Sequence, residues 1–253
     1  MGRFIILLSM GIVFPLVIGL DLTQPAQAEP VLLELFTSEG CSSCPPAERL
    51  VGSLAKERTG ELVLISEHVD YWNRLGWPDP YASKDNTNRQ YSYSRALGRS
   101  GVYTPQVVVD GHLETVGNNR AALEEVIARA RKSSKKGSIS LSRAGSQNDG
   151  SINLSLSVSN LPEPIESEGQ RLFAAVVLNE VNTKVMRGEN ANRVLTHYSV
   201  LTKLVDLGPV NGGTKSPVKF RMKVMNKARK SVVFFVQGEK SKRIYAVLRS
   251  LKV

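Results

Sequence analysis

The chain of 253 residues contains only two cysteines, Cys41 and Cys44, and two serines separate them. A strand-like apolar run at residues 31–36 precedes the pair, and residues 47–58 after it have helical spacing. Two cysteines are too few for a disulfide-stapled small scaffold or for a zinc site with four thiolates. The fold must therefore depend on a hydrophobic core, with the cysteines at a junction between strand and helix.

The first 28 residues have the pattern of an export signal. Arg3 is followed by an apolar run over residues 4–20, and an Ala-Gln-Ala triplet ends at Ala28. An uncleaved membrane anchor is the alternative, but a span needs about 20 apolar residues, and Pro15 interrupts this shorter run. We therefore expect a signal peptide at residues 1–28 and a mature protein that is secreted or periplasmic, where disulfides persist.

Residues 29–136 alternate strand-like and helix-like segments. Apolar side chains recur at helical spacing between the strand-like runs, and an Asp-Gly step marks one hairpin turn. This order predicts an α/β domain. The predicted strands are residues 31–36, 61–66, 106–110 and 112–116, and the predicted helices are residues 47–58, 83–97 and 118–131.

The pattern changes after a polar, turn-rich segment at residues 132–138. Six strand-like runs follow, and no stretch between them has sustained helical spacing. Residues 137–253 therefore predict an all-β sandwich as a second domain. The six runs are residues 139–142, 152–158, 172–179, 218–224, 232–237 and 244–251.

The net charge of +10 falls on the second predicted domain. Residues 29–136 hold 14 Lys and Arg against 14 Asp and Glu, whereas residues 137–253 hold 18 against 8. Such a basic surface can bind an anionic surface of the cell envelope, although a merely solvated surface has the same composition. The export signal and the lack of a cluster of stacking aromatics predict no nucleic-acid partner.

The position of the cysteine pair predicts redox chemistry. A thiolate at a helix N-terminus is stabilised by unpaired N–H groups and by the positive end of the helix dipole, which lower its pKa. We predict that Cys41 attacks a substrate thiol or disulfide and that Cys44 resolves the mixed disulfide, without a cofactor. A structural disulfide, which would close only a short loop and so stabilise weakly, and metal binding remain open.

The step from Thr104 to Pro105 leads directly into the strand-like run at residues 106–110. Proline disrupts central strands, so its place here predicts a cis-proline turn beside the dithiol. The backbone of this turn would pair with a bound substrate chain and keep metals away from the thiols.

A second group of candidates follows the second predicted strand. His68 and Asp70 would lie at the carboxyl edge of a parallel sheet, the edge that also carries Cys41. His68 could stabilise a thiolate or transfer its proton, with Asp70 fixing its tautomer, or it could bond a nearby backbone group. The aromatic side chains of this segment could line a substrate groove or cap the sheet: Tyr71, Trp72, Trp77 and Tyr81.

Three further features have weaker meanings. Glu34 is a candidate for proton transfer, although a strand end or a sheet edge is its expected place. His112 follows the predicted hairpin turn and is expected to be exposed. The charged and amide groups of residues 188–198 could form an interdomain contact, a second site or only a structured turn.

Several motifs resemble known families. A Cys-x-x-Cys after a first strand and a Gly-x-x-Thr-Pro turn before a later one resemble the thioredoxin fold, and LFTSEGCSSC is similar to a glutaredoxin-type strand and loop. Nearly the whole mature chain resembles DUF1223, a family of secreted bacterial proteins, through ELFTSEGCSSCPPAE, HVDYWNRLGWPDPYAS, YTPQVVVDG and GENANRVLTHYSVL. The resemblance implies a thioredoxin-like domain at residues 29–136 and a C-terminal β domain at residues 137–253, but it implies no established biochemical role.

Two functions are consistent with these features. The first is an exported thiol–disulfide oxidoreductase that acts on a protein or small-molecule thiol or disulfide, with no metal ligands. The alternative is a periplasmic module that binds copper or a protein, since two thiolates and the imidazole of His68 suit Cu(I). Exported copper chaperones of thioredoxin fold have cysteines one residue farther apart, and this chain has no Met-rich segment.

Overall fold

The computed structural model describes residues 29–133, 137–146, 151–165, 167–214, 216–223 and 230–250. The predicted signal peptide at residues 1–28 lies outside these residues. No helix in the described part of the chain is long and apolar enough to span a bilayer.

The helices lie in the first half of the described chain, whereas the strands are distributed along its whole length. The helices are α1 (Cys44–Glu57), α2 (Lys84–Ala96) and α3 (Arg120–Ser133), and a short 3-10 helix covers Asn73–Leu75. The strands are β1 (Val31–Thr37), β2 (Leu62–His68), β3 (Gln106–Val109), β4 (Leu113–Val116), β5 (Ser138–Ser146), β6 (Ser151–Ser159), β7 (Gln170–Lys184), β8 (Val194–Pro209), β9 (Val218–Lys223), β10 (Lys230–Gly238) and β11 (Ile244–Ser250).

Eight of the described strands form one mixed sheet in the order β11-β10-β7-β8-β2-β1-β3-β4. β1 pairs in parallel with β2 and antiparallel with β3. β8 pairs antiparallel with β7 and meets β2 in parallel, where Ser66 lies opposite Val200. Ser66 Oγ also donates to Tyr198 O at 2.7 Å. Strands from both sides of residue 137 therefore share one sheet.

The predicted fold class, an α/β thioredoxin-like domain followed by an all-β sandwich, is wrong. The structure is mostly β, and its main element is the mixed eight-stranded sheet, beside a three-stranded sheet in the order β5-β6-β9. The physical reason is β8, because none of the predicted strands covers its residues. Its pairing with β2 joins the two sets of strands that were assigned to separate folds.

The side chains of β1 alternate between two layers of the core. Leu33 and Leu35 belong to a cluster with apolar side chains of α1 and α3. Phe36 points to the opposite face, where it packs with Val108 and with Tyr93 of α2. This alternation is the period-2 geometry of a strand buried on both faces. α1 and α3 therefore cover one face of β1, and α2 covers the other.

The three-stranded sheet packs on the part of the main sheet farthest from the helices. Leu154 and Leu156 of β6 and Phe220 of β9 share a buried cluster with Leu172 of β7 and Phe234 of β10. The rings of Phe220 and Phe234 meet edge to face, with centroids 5.9 Å apart. Strands after residue 137 thus have a core of their own as well as a place in the shared sheet.

The predicted hairpin turn between β3 and β4 contacts the last hairpin of the chain. Ile244 N donates to Asp110 O at 3.0 Å. Gly111 has a φ of +71°, and a Cβ at this position would lie 1.8 Å from Lys242 O. Glycine is therefore required here both by the backbone conformation and by the close approach of a second chain segment.

Candidate functional site

The two cysteines form a disulfide at the junction of β1 and α1. Cys41 is 1% exposed and Cys44 is fully buried, whereas Ser42 and Ser43 between them are exposed. Cys44 begins α1, and two prolines follow in the first turn, where the missing N–H groups cost no helical hydrogen bond. The predicted cysteine pair at a strand–helix junction is therefore confirmed as a disulfide, with both cysteines below the surface.

The connection between β7 and β8 packs against the cysteine loop. Glu189 Oε2 accepts from Ser42 N at 3.1 Å. The side-chain amide of Asn190 donates to Cys41 O at 3.0 Å and to Glu39 O at 2.9 Å. Asn190 is fully buried. From the sequence, three roles were open for residues 188–198: a contact, a second site or a turn. In the structure, this connection contacts the cysteine loop.

His197, on β8, lies buried between two carboxylates. Its Nε2 donates to Glu39 Oε1 at 3.0 Å, and its Nδ1 donates to Glu48 Oε2. Burial by itself lowers the pKa of His197, but the hydrogen bonds to Glu39 and Glu48 outweigh burial and raise this pKa to about 10. His197 is therefore an imidazolium at neutral pH, beside the loop that carries the cysteines.

The two carboxylates come from residues on either side of the cysteines. Glu39 lies in the loop after β1, and Glu48 lies on α1, one turn after Cys44. Thr37 Oγ1 donates to Glu48 Oε1 at 2.6 Å, and Trp77 Nε1 donates to Glu39 Oε2 at 2.6 Å. All four carboxylate oxygens thus have partners, as burial of a charged group requires.

His68 ends β2 and is fully buried next to His197. Its Nδ1 donates to Asp79 Oδ2 at 2.7 Å, and its ring centroid lies 4.8 Å from that of His197. Burial raises the pKa of Asp79, but the charge and hydrogen bond of His68 outweigh it, so this pKa is lowered. Among the described residues, His68 Nε2 has no hydrogen-bond partner.

Tyr81 separates the two histidines from a surface cleft. Its ring centroid lies 5.4 Å from that of His68 and 5.7 Å from that of His197. The cleft has a volume of ≈ 530 Å³, and Tyr81, Asn86 and Arg89 form part of its wall. A small ion could therefore reach the histidines after movement of one half-buried aromatic ring.

The buried histidines and one carboxylate have the chemistry of a metal-ligand set. Glu48, His68 and His197 each offer one ligand atom, and these atoms lie within 4.8 Å of one another. Imidazole nitrogen and carboxylate oxygen are ligands that zinc and related divalent ions accept. The cysteines are not part of this group, because their sulfur atoms are bonded to each other.

The predicted aromatic segment holds the site together through its polar atoms. Trp72 Nε1 donates to Thr104 Oγ1 at 2.8 Å, and Tyr71 OH donates to Gln90 Oε1 at 3.2 Å. A Cβ at Gly40 would lie 3.1 Å from Trp72 Cβ, so this tryptophan packs closely on the loop before the cysteines. The segment therefore connects the cysteine loop with the turn at Thr104.

The peptide bond between Thr104 and Pro105 is cis, which confirms the prediction made for this turn. Pro105 is buried and its carbonyl accepts from Gly117 N at 2.9 Å, whereas Thr104 is only half-buried. The side chain of Thr104 is the acceptor for Trp72. The turn and the aromatic segment therefore form one wall beside the cysteine loop.

The partner of His68 differs from the one that the sequence suggested. Asp79, nine residues farther along than Asp70, accepts from His68 Nδ1. Asp70 Oδ1 instead accepts from Thr87 Oγ1 at 2.6 Å. Asp70 therefore fixes the start of the aromatic segment against α2 and does not set the tautomer of His68.

Two other candidates lie away from the cysteines. Glu34 is 1% exposed in the middle of the sheet, where Arg89 contacts its Oε1 at 2.5 Å and Tyr93 OH donates to its Oε2. The expectation of a strand end or sheet edge was wrong for Glu34. His112 is half-buried, and its Nε2 lies 3.2 Å from Ser133 Oγ, so its expected exposure was also wrong.

Sequence reasoning missed most of the polar residues around the two buried histidines. They lie in five different loops, helices and strands that come together only in the folded chain, so no local spacing indicates them. One signal was available: residues 39 and 48 are acidic and bracket the cysteines in a segment where other side chains are apolar or small. The missed residues are Glu39, Glu48 and Asp79, whereas Asn190 and His197 lie in the run at residues 188–198, for which a contact, a second site or a turn was left open.

Comparisons with known proteins agree with the predicted resemblance. A family model described as "Protein of unknown function (DUF1223)" matches residues 32–237. The crystal structure of protein AGR_C_4864 from Agrobacterium tumefaciens is similar, with 28% sequence identity and a TM-score of 0.68. The match covers 90% of this chain and 96% of that one.

A second solved structure shares the fold at lower sequence identity. HBP35 of Porphyromonas gingivalis has a TM-score of 0.65 and 16% identity, and the match covers 88% of this chain and 75% of that one. None of the curated proteins matches the chain in sequence. The comparisons therefore bear on family and fold.

Proposed function

Since the chain belongs to the DUF1223 family, whose function is not established, we propose from the site itself that it exchanges thiols and disulfides through Cys41 and Cys44. The observation that carries this proposal is the disulfide at the N-terminus of α1. A thiolate released there would face the positive end of the helix dipole, which favours the ionised form.

The exchange would proceed in two steps. In the reduced protein, the Cys41 thiolate attacks one sulfur of a substrate disulfide, forms a mixed disulfide and releases the other substrate sulfur as a thiolate, which takes a proton from solvent. Cys44 then attacks the Cys41 sulfur and releases the second substrate thiol. The substrate gains two electrons and two protons, and the Cys41–Cys44 disulfide is restored.

Burial of the disulfide implies that substrate access needs a local opening. Cys41 is 1% exposed, and Glu189 and Asn190 bond the loop that carries it. Glu189 is exposed, and the loop itself presents exposed Ser42 to solvent. The proposed opening is therefore the release of the connection between β7 and β8 from the cysteine loop.

The wall formed by Trp72 and the turn at Thr104 supports a role in substrate positioning. Thr104 is half-buried and precedes a buried cis proline. Its backbone would pair with an extended substrate chain beside the cysteines. A peptide disulfide would then be favoured over a small, globular disulfide compound as substrate.

We place this activity outside the cytoplasm, on the strength of the N-terminal sequence. Residues 1–28 have the charge, apolar run and small-residue end of a secretory signal. A disulfide persists more readily in an oxidising compartment. Cell fractionation tests this: recovery of the full-length precursor in the cytoplasm would contradict it.

The experiment that tests the exchange activity uses a glutathione series and a disulfide-containing peptide. We expect a reduction potential between about −270 and −120 mV and a Cys44→Ser variant that accumulates a mixed disulfide with the peptide. Cys41→Ser should form no such adduct. Ser42→Ala, in the same loop, is the matched control and should keep the activity.

Two results would overturn the proposal. A potential below about −300 mV would indicate a structural disulfide. A Cys41→Ser variant that still forms the mixed disulfide would show that Cys41 is not the nucleophile.

A further inference from the structure

We propose that Glu48, His68 and His197 bind a divalent transition metal ion, with Zn²⁺ as the first candidate. One ligand atom from each residue lies within 4.8 Å of the others, and all three side chains are buried. Two imidazoles and a carboxylate form a ligand set that zinc uses. This proposal does not depend on thiol–disulfide exchange, since no cysteine belongs to the set.

The first observation that points to a ligand is the open nitrogen of His68. His68 is fully buried, and its Nε2 has no hydrogen-bond partner among the described residues. Asp79 accepts from Nδ1, which leaves Nε2 as the ring nitrogen that can bind an ion. A buried polar atom without a partner is costly, and a metal ion at Nε2 would remove that cost.

The second observation is that each proposed ligand is oriented by a hydrogen bond on its far side. Asp79 holds His68 Nδ1, and Glu39 holds His197 Nε2. Thr37 donates to the Oε1 of Glu48, which leaves Oε2 for the ion. Metal-binding histidines and carboxylates are commonly held in this way, because such bonds fix the tautomer and the ring orientation.

The third observation is the number of acidic groups in the cluster. Three buried acidic side chains, those of Glu39, Glu48 and Asp79, surround two imidazoles. So many acidic groups in one buried site favour a cation among them. A divalent ion between His197 Nδ1 and Glu48 would replace the proton that now joins them, and that proton would pass to solvent.

Tyr81 lies on the path by which an ion would enter the site. Tyr81 contacts both histidine rings and forms part of the wall of the surface cleft, so rotation of one side chain opens the way. The remaining coordination position would be taken by water. The protein would therefore hold the ion with three side chains, the number found in zinc sites that keep an open position.

The test is metal titration of the purified protein after removal of metals with a chelator. We expect Zn²⁺ to bind with a stoichiometry of about one ion per chain. Co²⁺ should bind at the same site with visible ligand-field absorption and without the near-ultraviolet band of thiolate ligation. His112→Gln changes the remaining histidine and should bind metal as the wild type does, as should the Cys41→Ser/Cys44→Ser variant.

Variants of the cluster separate the proposed ligands from the groups that orient them. His68→Gln and His197→Gln should abolish binding, and Asp79→Asn should weaken it by about 10- to 100-fold. If a variant fails to fold, the stoichiometry of Zn²⁺ binding and the Co²⁺ spectrum of the wild type still test the proposed site. No stoichiometric binding by the wild type, binding that survives His68→Gln, or binding lost with the cysteines would each overturn the proposal.

Discussion

The side-chain amide of Asn190 donates to the backbone carbonyl of Cys41 at 3.0 Å, across 149 residues of sequence. The same amide group donates to the carbonyl of Glu39 at 2.9 Å. One buried side chain between β7 and β8 therefore satisfies two carbonyls of the loop that carries the disulfide. The conformation of the cysteine loop depends on a segment from the other end of the chain.

Asn190→Ala should destabilise the protein and expose the disulfide. The substitution leaves the carbonyls of Glu39 and Cys41 buried without this donor, at a cost of about 1–3 kcal/mol in the free energy of unfolding. The rate at which dithiothreitol reduces the disulfide should rise. Asn182→Ala removes an exposed amide whose Oδ1 accepts from Thr196 Oγ1, and it is the control. An unchanged reduction rate in folded Asn190→Ala would contradict this role.

Arg89→Met should be one of the most destabilising single changes. Arg89 contacts Glu34 at 2.5 Å and Glu67 at 3.3 Å, and both carboxyl groups are buried. Glu34 keeps the hydrogen bond from Tyr93 OH, but removal of the cation takes the ion-pair partner from both carboxyl groups, at an expected cost of about 3–5 kcal/mol. Urea unfolding measures this cost. Arg95→Met, at an exposed position of the same helix, is the control, and equal losses in the two variants would disprove the assignment.

Gly111→Ala and Gly98→Ala distinguish a steric contact from backbone strain. Both glycines have positive φ, but a Cβ at Gly98 meets nothing within 4 Å, whereas one at Gly111 would lie 1.8 Å from Lys242 O. The loss of unfolding free energy in Gly111→Ala should exceed that in Gly98→Ala by about 1–3 kcal/mol. Thermal or urea unfolding of the two variants measures this difference. Equal losses of unfolding free energy in the two variants would contradict the contact between Gly111 and Lys242 O.

Glu168 should contribute to stability at neutral pH and lose that contribution in acid. Burial alone raises the pKa of Glu168, but the donors of Ser241 and Lys240 outweigh burial and lower the pKa below its ordinary value of 4.5. A depressed folded-state pKa gives stability that is fully present above about pH 4.5 and is lost as the pH falls through the folded-state pKa.

Glu168→Gln should therefore lower the free energy of unfolding at pH 7 and flatten its decline below about pH 4.5. Urea unfolding as a function of pH measures both effects. Glu163→Gln, at an exposed position nearby, should leave the profile as in the wild type. If the free energy of unfolding declines in acid equally in Glu168→Gln and in the wild type, other carboxylates cause that decline.

Local patterns predicted the elements better than their arrangement. α1 and α3 were predicted because apolar side chains recur at helical spacing, as Leu123, Ile127 and Ala130 do in α3. α2 was predicted as a surface helix, from a polar segment with scattered aromatic residues. β8 was missed although polar and apolar side chains alternate over part of it, and its polar His197 is buried. The acidic partners of His197 lie more than 100 residues away in the sequence, and no local pattern reports them.

The same limit applies to the site. Cys41, Cys44 and Pro105 were found because each has a local signature, a short motif or a proline before a strand. His68 was placed at the correct sheet edge because parallel strands end together. Asp79 was missed, and the run that contains His197 was not placed beside His68, because tertiary structure alone brings these residues together.

The place of β8 in the sheet has a consequence for the order of events during synthesis. Ser66 of β2 bonds Tyr198, which is synthesised 132 residues later, so β2 and β8 can pair only after that residue has been made. A chain made from its N-terminus therefore presents the two cysteines to oxidants while the strand that helps to bury them has yet to emerge. The disulfide can thus form before it is buried, and the folded protein would contain a bond that formed while the chain was still incomplete.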